Sequence, residues 1–253
     1  MKKKSAVFTI VKNENYFLSI WIKHYKKYFD VSDIYVLDHQ SNDGSTDNLN
    51  VNVVPVINEL AFDHQWLVNT VQDFQKELLE KYECVLFAEA DELLYTLNKN
   101  LNESIDDFLN DSSCEYVSCY CHEVVEDLKI ESELSFNDKI FEKRNYWFRD
   151  IGYDKTLLSK IPLNWCWGFH TTLGLRKNYK YSLYMVHLHR VDFEMMLKRH
   201  EERATKWKLK DDGTGAGFQH KIGDREGVMN YFKEIPSIPE LIPIKHKIML
   251  EGI

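Results

Sequence analysis

The chain has 253 residues, 44% of them hydrophobic, enough to bury a full core as one large domain or two small ones. A formal charge of −8 and a pI near 5.7 argue against a nucleic-acid-binding surface, which needs a basic field to collect phosphates. No apolar run approaches the roughly 18 residues of a membrane span, and Met1-Lys2-Lys3-Lys4 leads into a strand-like segment instead of a signal-peptide core, so a cytoplasmic protein is expected.

Ala6 to Val11 is a short β-rich run. Asn15 to Phe29 places Phe17, Ile20, Trp21, His24, Tyr25 and Tyr28 at helical spacing, one aromatic-rich packing face. Ile34 to Leu37 reads as a second strand. Asp38 to Asp47 is a polar loop, in which Asp43 and Asp47 are expected to shape the turn and cap a following helix. Val51 to Ile57 is a third strand, His64 to Tyr82 a long helix and Cys84 to Ala88 a fourth strand. The order β-α-β-α-β-α-β implies an α/β fold with a mostly parallel sheet and helices on both faces.

The second half is less regular and richer in aromatics. Tyr116 to Val125 alternates like a strand, Asn145 to Phe148 is aromatic, Trp165 to His170 is a bulky loop, and Tyr181 to His189 is another strand; these are expected as additions to one sheet edge. Val191 to Leu209 is a charged amphipathic helix, broken by the glycine-rich Asp211 to Gly217, and Pro236, Pro239 and Pro243 mark a surface tail. The expected organisation is a catalytic unit over 1–190, with 191–253 packed on it as a smaller mixed α+β portion. Five scattered cysteines read as reduced thiols. Cys119-Tyr120-Cys121-His122 lacks a second ligand pair for zinc and reads as structural.

The segment Val85 to Leu94 matters most. Its apolar start delivers Glu89, Asp91 and Glu92 where strands of α/β sheets end and ligands bind. In extended geometry Glu89 and Asp91 point the same way, as two oxygen donors to one divalent cation would. The alternative is a strand end followed by a helix start, with Asp91 as the cap.

Four blocks in order resemble the family 2-like glycosyltransferases: Thr9-Ile10-Val11-Lys12-Asn13-Glu14, Trp21-Ile22-Lys23-His24-Tyr25, Tyr35 to Asp47, and Ala88-Glu89-Ala90-Asp91-Glu92. The resemblance covers about the first hundred residues. It implies a GT-A fold, a UDP-, GDP- or dTDP-linked sugar donor, a glycan or other hydroxyl acceptor, and Mn²⁺ or Mg²⁺ on a DxD-type motif. By this resemblance Thr9, Val11, Lys12, Asn13 and Glu14 line the base pocket, and Asp38 accepts from base or ribose. Ser41, Glu89 and Ala90 complete the donor set. Asp91 is the first metal ligand, with Glu89 and a downstream histidine, His187, as further ones; His189 shares its face. Two departures stand out: Glu89 replaces the family's usual Asp, and the Asn42 to Asp47 loop carries an extra residue.

On the acceptor side, Glu92, Trp165 and Trp167 are candidates, because aromatic faces stack on sugar rings. An inverting transfer needs a base for the acceptor hydroxyl, and Asp150, Asp154 and His170 are the candidates. Lys155, Arg144, Lys221 and Arg225 could meet phosphates, and Gly213 to Gly217 could act as a lid. No transmembrane segment is expected, and peripheral membrane association stays compatible. The competing readings are a nucleotidyltransferase, disfavoured because Lys12-Asn13-Glu14-Asn15 contains no glycine to cradle a triphosphate, and a non-catalytic carbohydrate-binding relative.

Overall fold

The computed structural model describes residues 2–58, 63–97, 99–206, 222–233 and 242–243. In chain order its elements are β1 (Lys3–Val11), α1 (Asn15–Tyr25), β2 (Ile34–Asp38), β3 (Asn52–Pro55), α2 (His64–Lys81), β4 (Tyr82–Phe87), β5 (Glu92–Tyr95), α3 (Leu101–Asn110) and β6 (Tyr116–Val125). There follow α4 (Ile140–Lys143), β7 (Tyr146–Arg149), β8 (Lys155–Ser159), β9 (Leu183–Arg190), α5 (Phe193–Lys206), α6 (Arg225–Lys233) and β10 (Ile242–Pro243).

The described strands form one sheet in the order β10-β7-β6-β8-β4-β1-β2-β3, with β9 pairing both β6 and β5. The N-terminal half is parallel: β1 pairs β2 and β4, and β2 pairs β3. Its strands read as near-continuous apolar runs because both faces are covered; Ala6, Val7, Phe8, Val85, Leu86 and Phe87 are all essentially inaccessible. The antiparallel pairs, β4 with β8, β5 with β9 and β6 with β7 and β8, come from the second half, which adds to the β4 side of the sheet. The result is a curled α/β sheet flanked by helices, the Rossmann-like GT-A arrangement.

Local chemistry accounts for the element ends. The Asp63 carboxylate caps α2 by accepting from the amides of Gln65 and Trp66 at 2.8 and 3.1 Å. Asn100 and Glu103 close a reciprocal capping box at the start of α3. α1 buries Phe17, Leu18, Trp21, Ile22, His24 and Tyr25, each large apolar side chain stabilising by about 1.5–3 kcal/mol. Two of these also reach the chain beyond β4. The Tyr25 hydroxyl donates to the Glu92 carbonyl at 3.2 Å and accepts from the Leu94 amide at 3.1 Å. His24 Nε2 bonds the Leu94 carbonyl at 2.8 Å, and burial holds its imidazole down at about 3. The Trp21 to Tyr25 block is therefore a clamp on the strand that follows the acids.

Three expectations differ. The apolar run is not one strand: after β4 the chain turns through 88–91, with the Glu92 amide bonded to the Glu89 carbonyl at 2.9 Å, and resumes as β5. No helix follows Asp91. The connection from β2 to β3 contains turns at 45–48 and no helix; Asp43 shapes it through the Ser45 amide at 3.0 Å, whereas Asp47 caps nothing helical. β5, α3 and β8 were not foreseen, being short or lacking a strong period. The glycine-rich segment Gly213 to Gly217, with Lys221, lies outside the described residues. Among the described residues no helix is long and apolar enough to cross a membrane.

Candidate functional site

The turn after β4, the loop after β1 and the start of α5 meet at the carboxyl end of the parallel strands. Asp91, 7% exposed, accepts from Arg199 Nη1 at 2.9 Å, and Arg199 Nη2 reaches Glu14 at 3.2 Å. The guanidinium also lies over the Phe17 ring, 4.9 Å from its centre. Burial by itself would raise the Asp91 pKa, but Arg199 and the neighbouring His187 more than offset it and hold the carboxyl well below its usual range. Asp91 is thus an anion in a nearly closed setting. Glu14 is pushed up by burial despite Arg199. Arg203, one turn further along α5, is lowered to about 10 by burial and then by Arg199.

Glu89 and Asp91 diverge. The turn sends Glu89 to Lys155, while Asp91 goes to Arg199. Lys155 is buried and lies 2.6 Å from Glu92 Oε1 as well, so one amine serves two carboxylates. Glu92, fully buried, also accepts from the Glu89 amide at 2.9 Å and so braces the turn. Burial lowers the ammonium's pKa, but Glu89 and Glu92 more than reverse this; Glu92 itself is raised by burial.

His187 lies opposite Glu92 across the β5–β9 pair, and the Leu188 amide bonds the Asp91 carbonyl at 2.9 Å. Its Nδ1 is 2.5 Å from Glu123, a buried acid on β6 that also accepts from the Arg190 amide at 2.8 Å. Burial disfavours the imidazolium, yet Glu123, and then Asp91, lift the pKa to about 9. Glu123 fixes the ring so that Nε2 is the nitrogen left for a ligand. His189 stacks on His187 with ring centres 5.8 Å apart, and burial holds it well below its ordinary value, hence neutral.

The nucleotide-side block folds as a closed loop. Asn13 has φ 56° and its side chain accepts from the Asn42 amide at 2.8 Å, while its own amide donates to Ser41 Oγ at 3.0 Å. Asp38 accepts from the Ser41 amide at 2.8 Å and the Thr46 hydroxyl at 3.1 Å. Both its oxygens therefore shape the loop, and only their remaining lone pairs could meet a base. Thr9 is buried with its hydroxyl unpartnered. Val11 and Ala90 are buried, and Lys12 is half-buried.

The candidate bases separate cleanly. Asp154, 1% exposed, accepts from the Cys121 amide at 2.8 Å, Arg149 at 2.5 Å and the Tyr179 hydroxyl at 2.6 Å. It is a structural anion without room for an acceptor, which corrects that expectation. Asp150 caps a single 3₁₀ turn through the Gly152 amide at 3.0 Å. His170 packs edge-on to Tyr153, which in turn packs on His187. Its Nδ1 is buried without a partner. Burial, with Lys155 and His187 adding, holds it neutral at about 3. Gly168 makes this placement possible, since at φ +73° a Cβ would meet the His170 ring at 2.8 Å.

Trp165 is 3% exposed and donates to the Thr156 carbonyl at 2.9 Å; it is core, not an acceptor platform. Trp167 stacks on His64 and edges a cleft of about 470 Å³, shared with Gln65, Gln72, Asn164 and Leu173. Arg144 is fully buried among Asp192, Glu126 and Glu131, and Arg225 pairs with Glu194, so neither is a phosphate contact here. Cys119 and Cys121 are buried, with thiols raised by burial.

Sequence reasoning missed Arg199 and Glu123. Arg199 and Arg203 stand four apart on a charged helix, and Glu123 is a lone acid in an otherwise apolar strand; both are weak signals. Among the described residues no group of three His, Cys, Asp or Glu side chains converges as a ready cation cage. The available donors do fit a cation completed by substrate, as Mg²⁺ or Mn²⁺ commonly is: one anionic oxygen from Asp91 and one imidazole nitrogen from His187, with phosphate and water oxygens filling the rest.

No protein-family model and no curated protein matches the sequence. Solved structures with partial likeness include a mannosyltransferase from Pyrobaculum calidifontis in complex with GDP-Man and Mn²⁺, at 18% identity over 47% of this chain and TM-score 0.35. They also include a cytidylyltransferase from Leptospira borgpetersenii, at 14% identity over 46% and TM-score 0.33, and S. aureus TarS 1–349, at 12% over 83% and TM-score 0.35. The chain spans 36% of the mannosyltransferase, 54% of the cytidylyltransferase and 68% of TarS. The chemistry assigned below rests on the site itself.

Proposed function

We propose that the chain is a glycosyltransferase that takes a sugar from a nucleoside-diphosphate donor and passes it, with inversion, to a hydroxyl of a glycan or related acceptor. The observation that carries this reading is Asp91: a nearly buried carboxylate kept ionised at the carboxyl end of the parallel strands, beside an imidazole oriented by Glu123. Such a pair suits a divalent cation shared with a polyanionic ligand. The adjoining Asn13–Ser41–Asp38 loop supplies polar groups for a nucleoside, and Thr9 contributes a buried hydroxyl.

In this reading Asp91 and His187 would hold Mn²⁺ or Mg²⁺, which when bound supplies Lewis-acid stabilisation of the departing diphosphate. Glu89 does not join them; with Lys155 and Glu92 it sets the turn that aims Asp91. The bond from the sugar's anomeric carbon to the phosphate oxygen breaks as the acceptor oxygen attacks from the opposite face. The hydroxyl proton then needs a neutral base. His170 is the candidate that combines a neutral ring with an unengaged nitrogen, and it stands beside Lys155 and His187, where a bound polyanion would raise its basicity. α5 is part of the same working unit as residues 1–190, because it delivers Arg199.

The test is thermal stabilisation by UDP, GDP and dTDP, each with and without Mn²⁺. A ligand at about 100 times its dissociation constant stabilises by about 2.7 kcal/mol, and the metal-dependent part is expected to vanish in Asp91→Asn while the fold persists. No metal-dependent shift with any of the three would sink this reading.

A further inference from the structure

We infer that Arg199 is a diphosphate-binding residue parked, in the absence of donor, on the carboxylate that holds the cation, so that binding of the phosphates and opening of the metal site are one event. The inference rests on the transferase reading above for the nature of the anion. Its basis is geometric. The two terminal nitrogens of Arg199 go to carboxylates from different loops: Nη1 to Asp91 Oδ2 at 2.9 Å and Nη2 to Glu14 Oε2 at 3.2 Å. A guanidinium on Oδ2 competes with a cation for the same oxygen.

The side chain is 18% exposed, so the guanidinium stands in the wall of the site and not in the core. Its planar fork of donors matches two phosphate oxygens as well as it matches two carboxylates. The helix need not move for the exchange. The root of α5 is fixed by Asp192, which accepts from the Met195 amide at 2.9 Å and the Leu134 amide at 2.7 Å, so only the long arginine side chain has to rotate. Arg203, one turn along, is near enough to Arg199 for the two cations to disfavour each other. An anion between them relieves that repulsion, which Asp91 and Glu14 now relieve only in part. Once Arg199 has turned to phosphate, Asp91 is released to the metal.

Two affinities test this on the full chain. Mn²⁺ binding is followed by electron paramagnetic resonance without any phosphate, and pyrophosphate binding by calorimetry without metal; pyrophosphate avoids having to know the base. Arg199→Gln is expected to bind Mn²⁺ at least about ten-fold more tightly than the wild type and pyrophosphate at least about ten-fold more weakly, the scale of a charge-assisted hydrogen bond. Adding Asp91→Asn to that variant should cancel the Mn²⁺ gain. Arg199→Lys, which keeps the charge without the fork, guards against a folding defect and should lose pyrophosphate affinity with a smaller Mn²⁺ gain. A folded Arg199→Gln in which either affinity stays within two-fold of wild type overturns the inference. If that happens while the wild type still binds a nucleoside diphosphate with Mn²⁺, the transferase reading survives alone; if the wild type binds none, both fall.

Discussion

Replacing Lys155 with methionine removes one buried amine and leaves two acids behind. The lysine side chain is 2% exposed, with Nζ 2.6 Å from Glu92 Oε1, and Glu92 is fully buried, whereas Glu89 is 36% exposed and can turn to water. The cost therefore falls on Glu92. Breaking a buried pair by removing one partner costs about 3–5 kcal/mol; methionine keeps most of the stem's volume, so cavity formation adds little. For a chain of this size that loss lowers Tm by on the order of 10 °C.

The pH dependence has a definite sign. Burial already raises the Glu92 carboxyl, and losing Lys155 raises it further. A carboxyl whose folded pKa lies above its unfolded value destabilises as pH rises from the unfolded value through the folded one. The deficit of Lys155→Met should thus be small near pH 4–5 and full at pH 8. Urea unfolding followed by circular dichroism at pH 5, 7 and 8 measures it. Adding Glu92→Gln should recover most of the loss, since the amide oxygen can still accept from the Glu89 amide. A deficit below about 1 kcal/mol at pH 7, or no recovery in the double variant, would refute the argument that Lys155 exists to neutralise this turn.

Glu123→Gln should let the His187 imidazole fall from about 9 toward its ordinary range, read as a shifted titration of the ring protons by NMR. Because the folded pKa is the raised one, its stabilising contribution is complete below about 6.5 and is lost as pH rises through about 9. Wild-type stability should decline across that window more steeply than the variant's; equal slopes would contradict the assignment. Tyr25→Phe should cost about 1–3 kcal/mol by leaving the Leu94 amide in β5 unsatisfied, with faster hydrogen exchange at that amide. Unchanged exchange there would mean that α1 does not clamp the strand.

Much of the site's location was legible before any coordinates. Apolar runs of strand length alternating with amphipathic stretches can be satisfied only by buried parallel strands under helices, and the acids after Phe87 had to emerge where β4 ends. The loop chemistry of Asn13, Asp38, Ser41 and Asp43 is also local, so short-range hydrogen bonding decided it. What adjacency in sequence could not decide was which charges meet. The extended reading paired Glu89 with Asp91, but a four-residue turn separates them, one to Lys155 on β8 and the other to Arg199 on α5.

Those partners lie 66 and 108 residues away along the chain. Nothing in composition or period marks one lysine or arginine among 32 basic residues as the one that will be buried against a given acid. Asp154 and Trp165 failed as site candidates for the same reason: residue type and neighbourhood suggested exposure, while long-range packing closed over both. The sequence by itself determined the elements, their order and the edge at which a ligand could sit, because these follow from periodicity and from local hydrogen bonding. Tertiary structure alone decided the charge pairing, because Coulombic and desolvation energies depend on distance and burial in space, and those exist only once the second half of the chain has folded back over the first.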